Sequence, residues 1–393
     1  MPWTSPWDEE RVVEDGDAWF AGLAAAITGA REHIDLESFI VRDDPAVRPV
    51  LEALAAAAAR GVAVRMLVDG FGSAAWLAGL DGRPDLVDRP VELRVWHPLP
   101  WAVRRLARHQ PASWTERLRW LRGINRRNHR KLCLIDAGAA GGRAWVGSFN
   151  LDGRHAPSQA GDGAWRDCGA VVAGRPVVLL AQAFEQAWDR SWRMAAGRLV
   201  RRLPALPRRI DPRSAEAVRL NHGLRQRRAA YRDLLARIRA AQGRIWIMNA
   251  YWLPKGSLLR ALAAAARRGV DVRVLTPAVS DQPITVWTAL ALHDGLIRAG
   301  VRVAAFPQRM LHAKTVLFDD HALVGSHNLN HRSLIHDLEV EVVLRHPASL
   351  DLLAASYAAD WTTAVPVTTP VWAGRPAWQR WMARLGLWIK RWL

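Results

Sequence analysis

Hydrophobic and polar positions repeat themselves once along this chain. Residues 51–68 begin as an Ala/Leu run of helical period, pass through Arg60-Gly61-Val62, and end as a short apolar strand running into Asp69. Residues 258–275 do the same around Arg268-Gly269-Val270, closing on a strand over 271–275. Upstream of each helix lies another apolar run, 34–41 in the first copy and 244–252 in the second. Helical periodicity giving way to a short β-branched run predicts a strand-helix-strand unit at the start of each half. Strands alternating with helices of this length predict an α/β fold, each half having a mainly parallel sheet covered on both faces by helices. The proline-bearing basic segment 198–213 is the natural cut, giving a first lobe over 8–203, a second over 204–365 and a C-terminal tail over 366–393.

Composition supports a folded chain of this size. Half of the 393 residues are apolar and 23% are charged, which is globular rather than disordered composition. Lys and Arg number 55 against 37 Asp and Glu, so the net charge of +18 predicts an anionic partner. Nucleic acid, an anionic membrane surface and a phosphorylated small molecule fit that field equally well. The two cysteines, Cys133 and Cys168, have no zinc or disulfide spacing, which points to a reducing compartment. The first ten residues are polar and acidic, unlike a signal peptide. No stretch reaches the roughly 18 uninterrupted apolar residues of a spanning helix, so any meeting with a membrane is expected at its surface.

The chemistry is duplicated with the scaffold. The first copy carries His129-Arg130-Lys131, four residues, Asp136, and then Gly147-Ser148-Phe149-Asn150. The second carries His312-Ala313-Lys314, four residues, Asp319, and then Gly325-Ser326-His327-Asn328. One H-x-K triplet arises by chance in so basic a chain; two with the same gap and the same G-S-x-N do not. Apolar positions at Cys133, Ile135, Val316 and Phe318 make each motif part of a buried strand, so His and Lys, two apart, project from one face. Lys131, Lys314, Asn150 and Asn328 are then candidates to hold nonbridging phosphate oxygens while the imidazoles address phosphorus and the leaving oxygen.

This duplicated motif resembles the signature of the phospholipase D superfamily, and the resemblance covers nearly the whole chain. It implies two similar α/β/α sandwich lobes related by a pseudo-twofold axis, with one active site at their interface. It also implies a covalent phosphohistidine, with His129 as nucleophile and His312 as acid and base, although the symmetry of the sequence leaves that order open. The scheme requires neither metal nor cofactor, and no carboxylate cluster for two metals stands out. Each imidazole needs a carboxylate on its second nitrogen; Asp167 and Glu339, each opening an apolar strand, match the family's positions for this role. Ser148 and Ser326 belong to the same phosphate-binding or His-orienting set, and Asp136 and Asp319 are grouped with the catalytic residues, with a structural role at the strand ends as the alternative. His155, His327, His331 and His336 read as rim or packing residues.

Asn330-His331-Arg332-Ser333 and the run 125–132 are similar to bacterial cardiolipin synthases of the short type without N-terminal transmembrane helices. That resemblance turns the anionic partner toward phospholipid and away from nucleic acid, and toward the cytoplasmic face of a bacterial inner membrane. The first copy differs by a longer hairpin, ten residues rather than five from the motif Asp to its Gly, and by extra residues over 153–164. Two segments favour a lipid surface. An insertion over 98–123 places Trp101, Trp114 and Trp120 among arginines, and the tail spaces Trp378, Trp381, Leu385, Trp388 and Trp392 by alternating threes and fours. Arg380, Arg384, Lys390 and Arg391 fall on the opposite arc, as in a helix lying in a membrane interface.

Overall fold

Both Ala/Leu helices end on the glycine of their Arg-Gly-Val triplet. In the computed structural model the helix Arg48–Ala59 is closed by Gly61, with φ of 94°, and the helix Gly256–Arg267 by Gly269, with φ of 92°. In each case the residue after the glycine donates back into the last turn, Val62 to the Ala57 carbonyl at 3.1 Å and Val270 to the Ala265 carbonyl at 3.2 Å. A left-handed residue at this point reverses the chain into the next strand, and a side chain there would be strained. The structure describes residues 5–80, 91–98, 125–138, 141–193, 212–368, 377, 378 and 381. Most of the 98–123 insertion, much of the basic cut segment, and Leu385, Trp388 and Trp392 of the tail lie outside those residues.

The described strands are β1 (Glu9–Val13), β2 (His33–Ser38), β3 (Ala63–Asp69), β4 (Val91–Trp96), β5 (Leu132–Ile135), β6 (Arg143–Gly147), β7 (Gly169–Ala173) and β8 (Trp192–Arg193) in the first half. The second half supplies β9 (Val218–Leu220), β10 (Arg244–Asn249), β11 (Asp271–Pro277), β12 (Arg302–Phe306), β13 (Lys314–Leu317), β14 (Ala322–Gly325), β15 (Val340–Leu344) and β16 (Val365–Pro366). They form two eight-stranded sheets, ordered β1-β7-β6-β5-β2-β3-β4-β8 and β9-β15-β14-β13-β10-β11-β12-β16. The second order is the first one repeated strand for strand, so the sequence repeat is a repeat of whole lobes.

The expectation of mainly parallel sheets is corrected. Only β2-β3-β4 and β10-β11-β12, joined through crossover helices, are parallel; every other neighbouring pair is antiparallel. The motif strands β5 and β13 turn straight back into β6 and β14, and a short connection can only make an antiparallel pair.

Each sheet has an outer apolar face under its own helices. Trp19, Leu23 and Ile27 of the helix Gly16–Thr28, with Leu51 and Leu54, cover Ile34, Val64 and Met66 in the first lobe, and Leu235, Ile238, Leu258 and Leu262 cover Ile245, Val272 and Val274 in the second. The inner faces share one core. Val146, Phe184 and Trp188 of the first lobe are continuous there with Val324, Val342 and Tyr357 of the second. The lobes are therefore joined by burial of apolar surface, and whatever lies along their seam is held rigidly.

Candidate active site

One or two residues separate each motif histidine from the buried strand that follows, and at that point the backbone bonds to the other lobe. Asn128 pairs with Leu338 and Arg166 pairs with Leu311 as isolated parallel bridges. His129 N–H donates to the Leu338 carbonyl at 3.0 Å and Leu338 N–H to the Arg127 carbonyl at 2.9 Å; His312 N–H donates to the Arg166 carbonyl at 2.7 Å and Arg166 N–H to the Met310 carbonyl at 2.9 Å. The residue before each histidine is thus fixed against the residue before the opposite lobe's carboxylate.

The carboxylates are consequently exchanged between lobes. His129 Nδ1 lies 3.0 and 3.1 Å from the two oxygens of Glu339, and His312 Nδ1 lies 2.7 Å from Asp167 Oδ2. Each carboxylate is steadied from its own lobe by the motif serine, Ser326 to Glu339 at 2.5 Å and Ser148 to Asp167. The motif glycine makes this possible. A Cβ on Gly325 would stand 2.1 Å from the Val340 carbonyl oxygen, and one on Gly147 would stand 2.6 Å from Gly169 Cα, so only glycine lets the serine strand lie this close. With Nδ1–H donated to a carboxylate, each ring keeps its Nε2 lone pair for the cleft.

One cleft of about 680 Å³ is lined by His129, His312, Asn150 and Asn328, with aromatic walls from Phe39, Trp165 and Tyr251. Asn150 Oδ1 accepts from Ile40 N–H at 3.3 Å, while Asn328 Oδ1 is buried without a partner among the described residues. Lys131 and Lys314 lie behind the rings rather than on the cleft wall, each turning its Nζ onto the carbonyl of its own histidine, for Lys131 at 2.7 Å. Burial, reinforced by the lysines, pushes both imidazoles well below their ordinary pKa. Burial alone would raise the Asp167 carboxyl, but the His312 and His155 rings outweigh it and hold the group well below the usual range. Burial pushes Glu339 upward instead, against His327 and Lys131.

Burial also pulls Lys131 down to about 7 and Lys314 down to about 8. An arriving anion favours their charged forms, so binding takes up protons. Affinity for a soluble phosphodiester, a monoanion throughout the range, is expected to be full below about pH 7 and to fall as pH rises through 7 and 8. The limiting slope is about tenfold per pH unit for each lysine that has lost its proton. Calorimetric titration with glycerophosphoglycerol between pH 6 and 9.5 measures this; a flat profile would mean that both lysines are already charged in the empty site.

The motif aspartates, grouped above with the catalytic residues, lie at the far ends of the motif strands. Asp136 accepts backbone N–H groups from Arg31 at 3.0 Å, Glu32 at 2.8 Å and His33 at 2.9 Å. Asp319 does the same for Gln242, Gly243 and Arg244 at 2.7, 3.0 and 2.6 Å. Each carboxylate anchors the start of β2 or β10 and does not line the cleft, because four residues of extended chain separate it from the motif lysine. Asp136→Ala and Asp319→Ala are expected to cost about 1–3 kcal/mol of stability each, seen as a lower urea midpoint, with turnover per folded molecule within about threefold of the parent.

His155, a rim or packing residue on sequence grounds, stands instead against Asp167 inside the site. It is buried, its Nε2 accepts from Asn150 N–H at 3.2 Å, and its Nδ1 lies 2.8 Å from the same Asp167 oxygen that holds His312. The extra residues 153–164 fold as short helical turns that deliver His155 and Trp165, whose rings stand 5.4 and 4.9 Å from that of His312. In the second copy the position five residues after the motif asparagine is Ser333, which lines the cleft. His155, Asp167 and His312 are the only trio among the described residues with metal-ligating atoms this close. Their contacts of 2.7 and 2.8 Å are hydrogen-bond lengths, shorter than the ~3.3 Å between ligands around a tetrahedral ion, so the trio fits a proton network better than a metal centre. His327 pairs with Glu341 at 3.3 Å, and neither it nor His331 or His336 lines the cleft.

The profile of the family described as "Cardiolipin synthase, PLD-like domain" matches residues 23–188 and 234–361. The chain is 33% identical over 337 residues to cardiolipin synthase B of Salmonella typhi, covering 85% of this chain and 76% of that one. It is 29% identical over 375 residues to the cardiolipin synthase of Alkalihalophilus pseudofirmus, covering 95% and 70%. Among solved structures it resembles phosphatidylserine synthase of Haemophilus influenzae Rd KW20, with a TM-score of 0.65 at 12% identity over 100% of this chain and 96% of that one, a likeness of fold. With both halves matched by one profile and relatives aligned across most of its length, the chain belongs to the cardiolipin synthase family of phospholipase D-like proteins.

Proposed function

We propose that the protein is a phosphatidyltransferase that joins phosphatidylglycerol to the headgroup hydroxyl of a second phospholipid. The observation that carries this reading is the pair of cross-braced imidazoles on one cleft, each with its Nε2 free. His129 Nε2 attacks phosphorus, the bond to the glycerol oxygen breaks, and a protonated His312 gives that oxygen its proton. The hydroxyl of the second lipid then loses its proton to His312 and attacks the phosphohistidine, breaking the P–N bond. His129, beside Lys131 and Lys314, is suited to stay neutral. His312, beside an ionised Asp167, is suited to carry the proton once the phosphate has offset the lysines.

Work at a membrane surface fits the net charge of +18 and the exposure of Trp378 and Trp381. No helix among the described residues is long and apolar enough to cross a membrane. The free, buried thiols of Cys133 and Cys168 accord with the cytoplasmic side. Incubation with phosphatidylglycerol vesicles in the presence of a chelator is expected to give a diphosphatidyl product and glycerol. Phosphatidic acid as the sole product would make the protein a hydrolase of the same chemistry, and degradation of single-stranded DNA without lipid turnover would make it a nuclease.

A further inference from the structure

A second cavity lies behind the cleft and shares a wall with it. It encloses about 540 Å³ including its mouth, and Trp252, Pro277, Val286, Trp287 and Leu290 give it an apolar lining interrupted by Thr276, Thr285 and His293. Thr285 lines both spaces, and along the loop after β10 the residues divide between them: Tyr251 borders the catalytic cleft, while Ala250 and Trp252 border the apolar cavity. The partition between the site of chemistry and this cavity is therefore one residue thick.

The surroundings of the cavity suit a lipid. Trp287 meets Trp378 of the tail edge-on at 5.5 Å. Trp378 is 55% exposed, and Val279, next to the lining residue Ala278, is also 55% exposed. Exposed apolar side chains grouped around an apolar opening are a costly arrangement in water and a favourable one against hydrocarbon. A phosphatidyl donor has this same polarity, a phosphodiester joined through glycerol to acyl chains. With its phosphorus between His129 and His312, its tails must leave the polar cleft through an apolar route.

We propose that this cavity receives the first part of one acyl chain of the phosphatidyl donor, so that helix Pro283–Arg298 separates headgroup from tail. The proposal rests on the phosphatidyltransferase reading given above. In a bilayer the chain exchanges one apolar environment for another and little selectivity follows. From water, each methylene entering the cavity is worth about fourfold in affinity.

The test is calorimetric binding of phosphatidylglycerols short enough to be monomeric in water, with chains of four to eight carbons. The parent is expected to gain about fourfold per added carbon until the cavity is full. Ala289→Phe, which fills the cavity, is expected to flatten that dependence, and Leu290→Ala, which enlarges it, to move the plateau to longer chains. A misfolded variant cannot give the second result. The same chain-length dependence in all three proteins would overturn the proposal. Absence of diphosphatidyl product from the parent, with the chain-length effects intact, would count against the transferase reading and leave the acyl site standing.

Discussion

Replacing His129 with Gln is expected to abolish turnover, by about 10⁵- to 10⁶-fold as for loss of an enzyme nucleophile, and to abolish the burst of p-nitrophenol from a p-nitrophenyl phosphodiester. His312→Gln is expected to behave differently. With a natural glycerol leaving group it should lose about 10²–10⁴-fold, the usual worth of a general acid. With p-nitrophenolate, which leaves without protonation, the first step should survive and a phosphoenzyme should accumulate on His129. Rapid-quench measurement of the burst and an acid-labile, base-stable phosphoenzyme separate the two. The physical basis is the unequal setting of two rings that look equivalent in sequence. Burial and both lysines push His129 well below its ordinary pKa, whereas His312 faces Asp167, a carboxylate bonded by Ser148, the Cys168 N–H and His312, with the His155 ring nitrogen 2.8 Å away. A burst from His129→Gln and none from His312→Gln would exchange their roles.

The second large effect follows from the exchange of carboxylates between lobes. Asp167→Asn leaves His312 without an anion on Nδ1, and an amide in that place favours the wrong tautomer; a loss of about 10⁴-fold in turnover is expected. Although Asp167 belongs to the His129 lobe, its loss should reproduce the His312 phenotype, with slow turnover and the p-nitrophenol burst retained. Glu339→Gln, in the His312 lobe, should impair His129 and lose the burst. If each carboxylate served the histidine of its own lobe, the two patterns would be reversed. The distances, 2.7 Å for His312 to Asp167 and 3.0 Å for His129 to Glu339, lead to the crossed outcome.

The chain by itself determined what is local. The Arg-Gly-Val triplets stop their helices because a left-handed residue is needed there, and that need is written into three residues. The buried motif strands and the doubling of the motif are likewise set by spacing, whereas the lysines turn off the cleft that their histidines line. Asp167 and Glu339 could be named as carboxylate partners from their positions, but not assigned to a histidine. That assignment depends on two backbone bridges, Asn128 to Leu338 and Arg166 to Leu311, between segments far apart in sequence. Tertiary structure also set Asp136 and Asp319 away from the cleft, where three backbone N–H groups claim each of them, and put His155 beside Asp167 through turns that carry no periodic signal. It decided the sheet direction too, since most antiparallel pairs, such as β1 with β7 and β2 with β5, join segments distant in sequence. Periodicity and spacing report how a segment meets its neighbours within a few turns. Which lobe supplies which proton partner is fixed only when two buried faces come together.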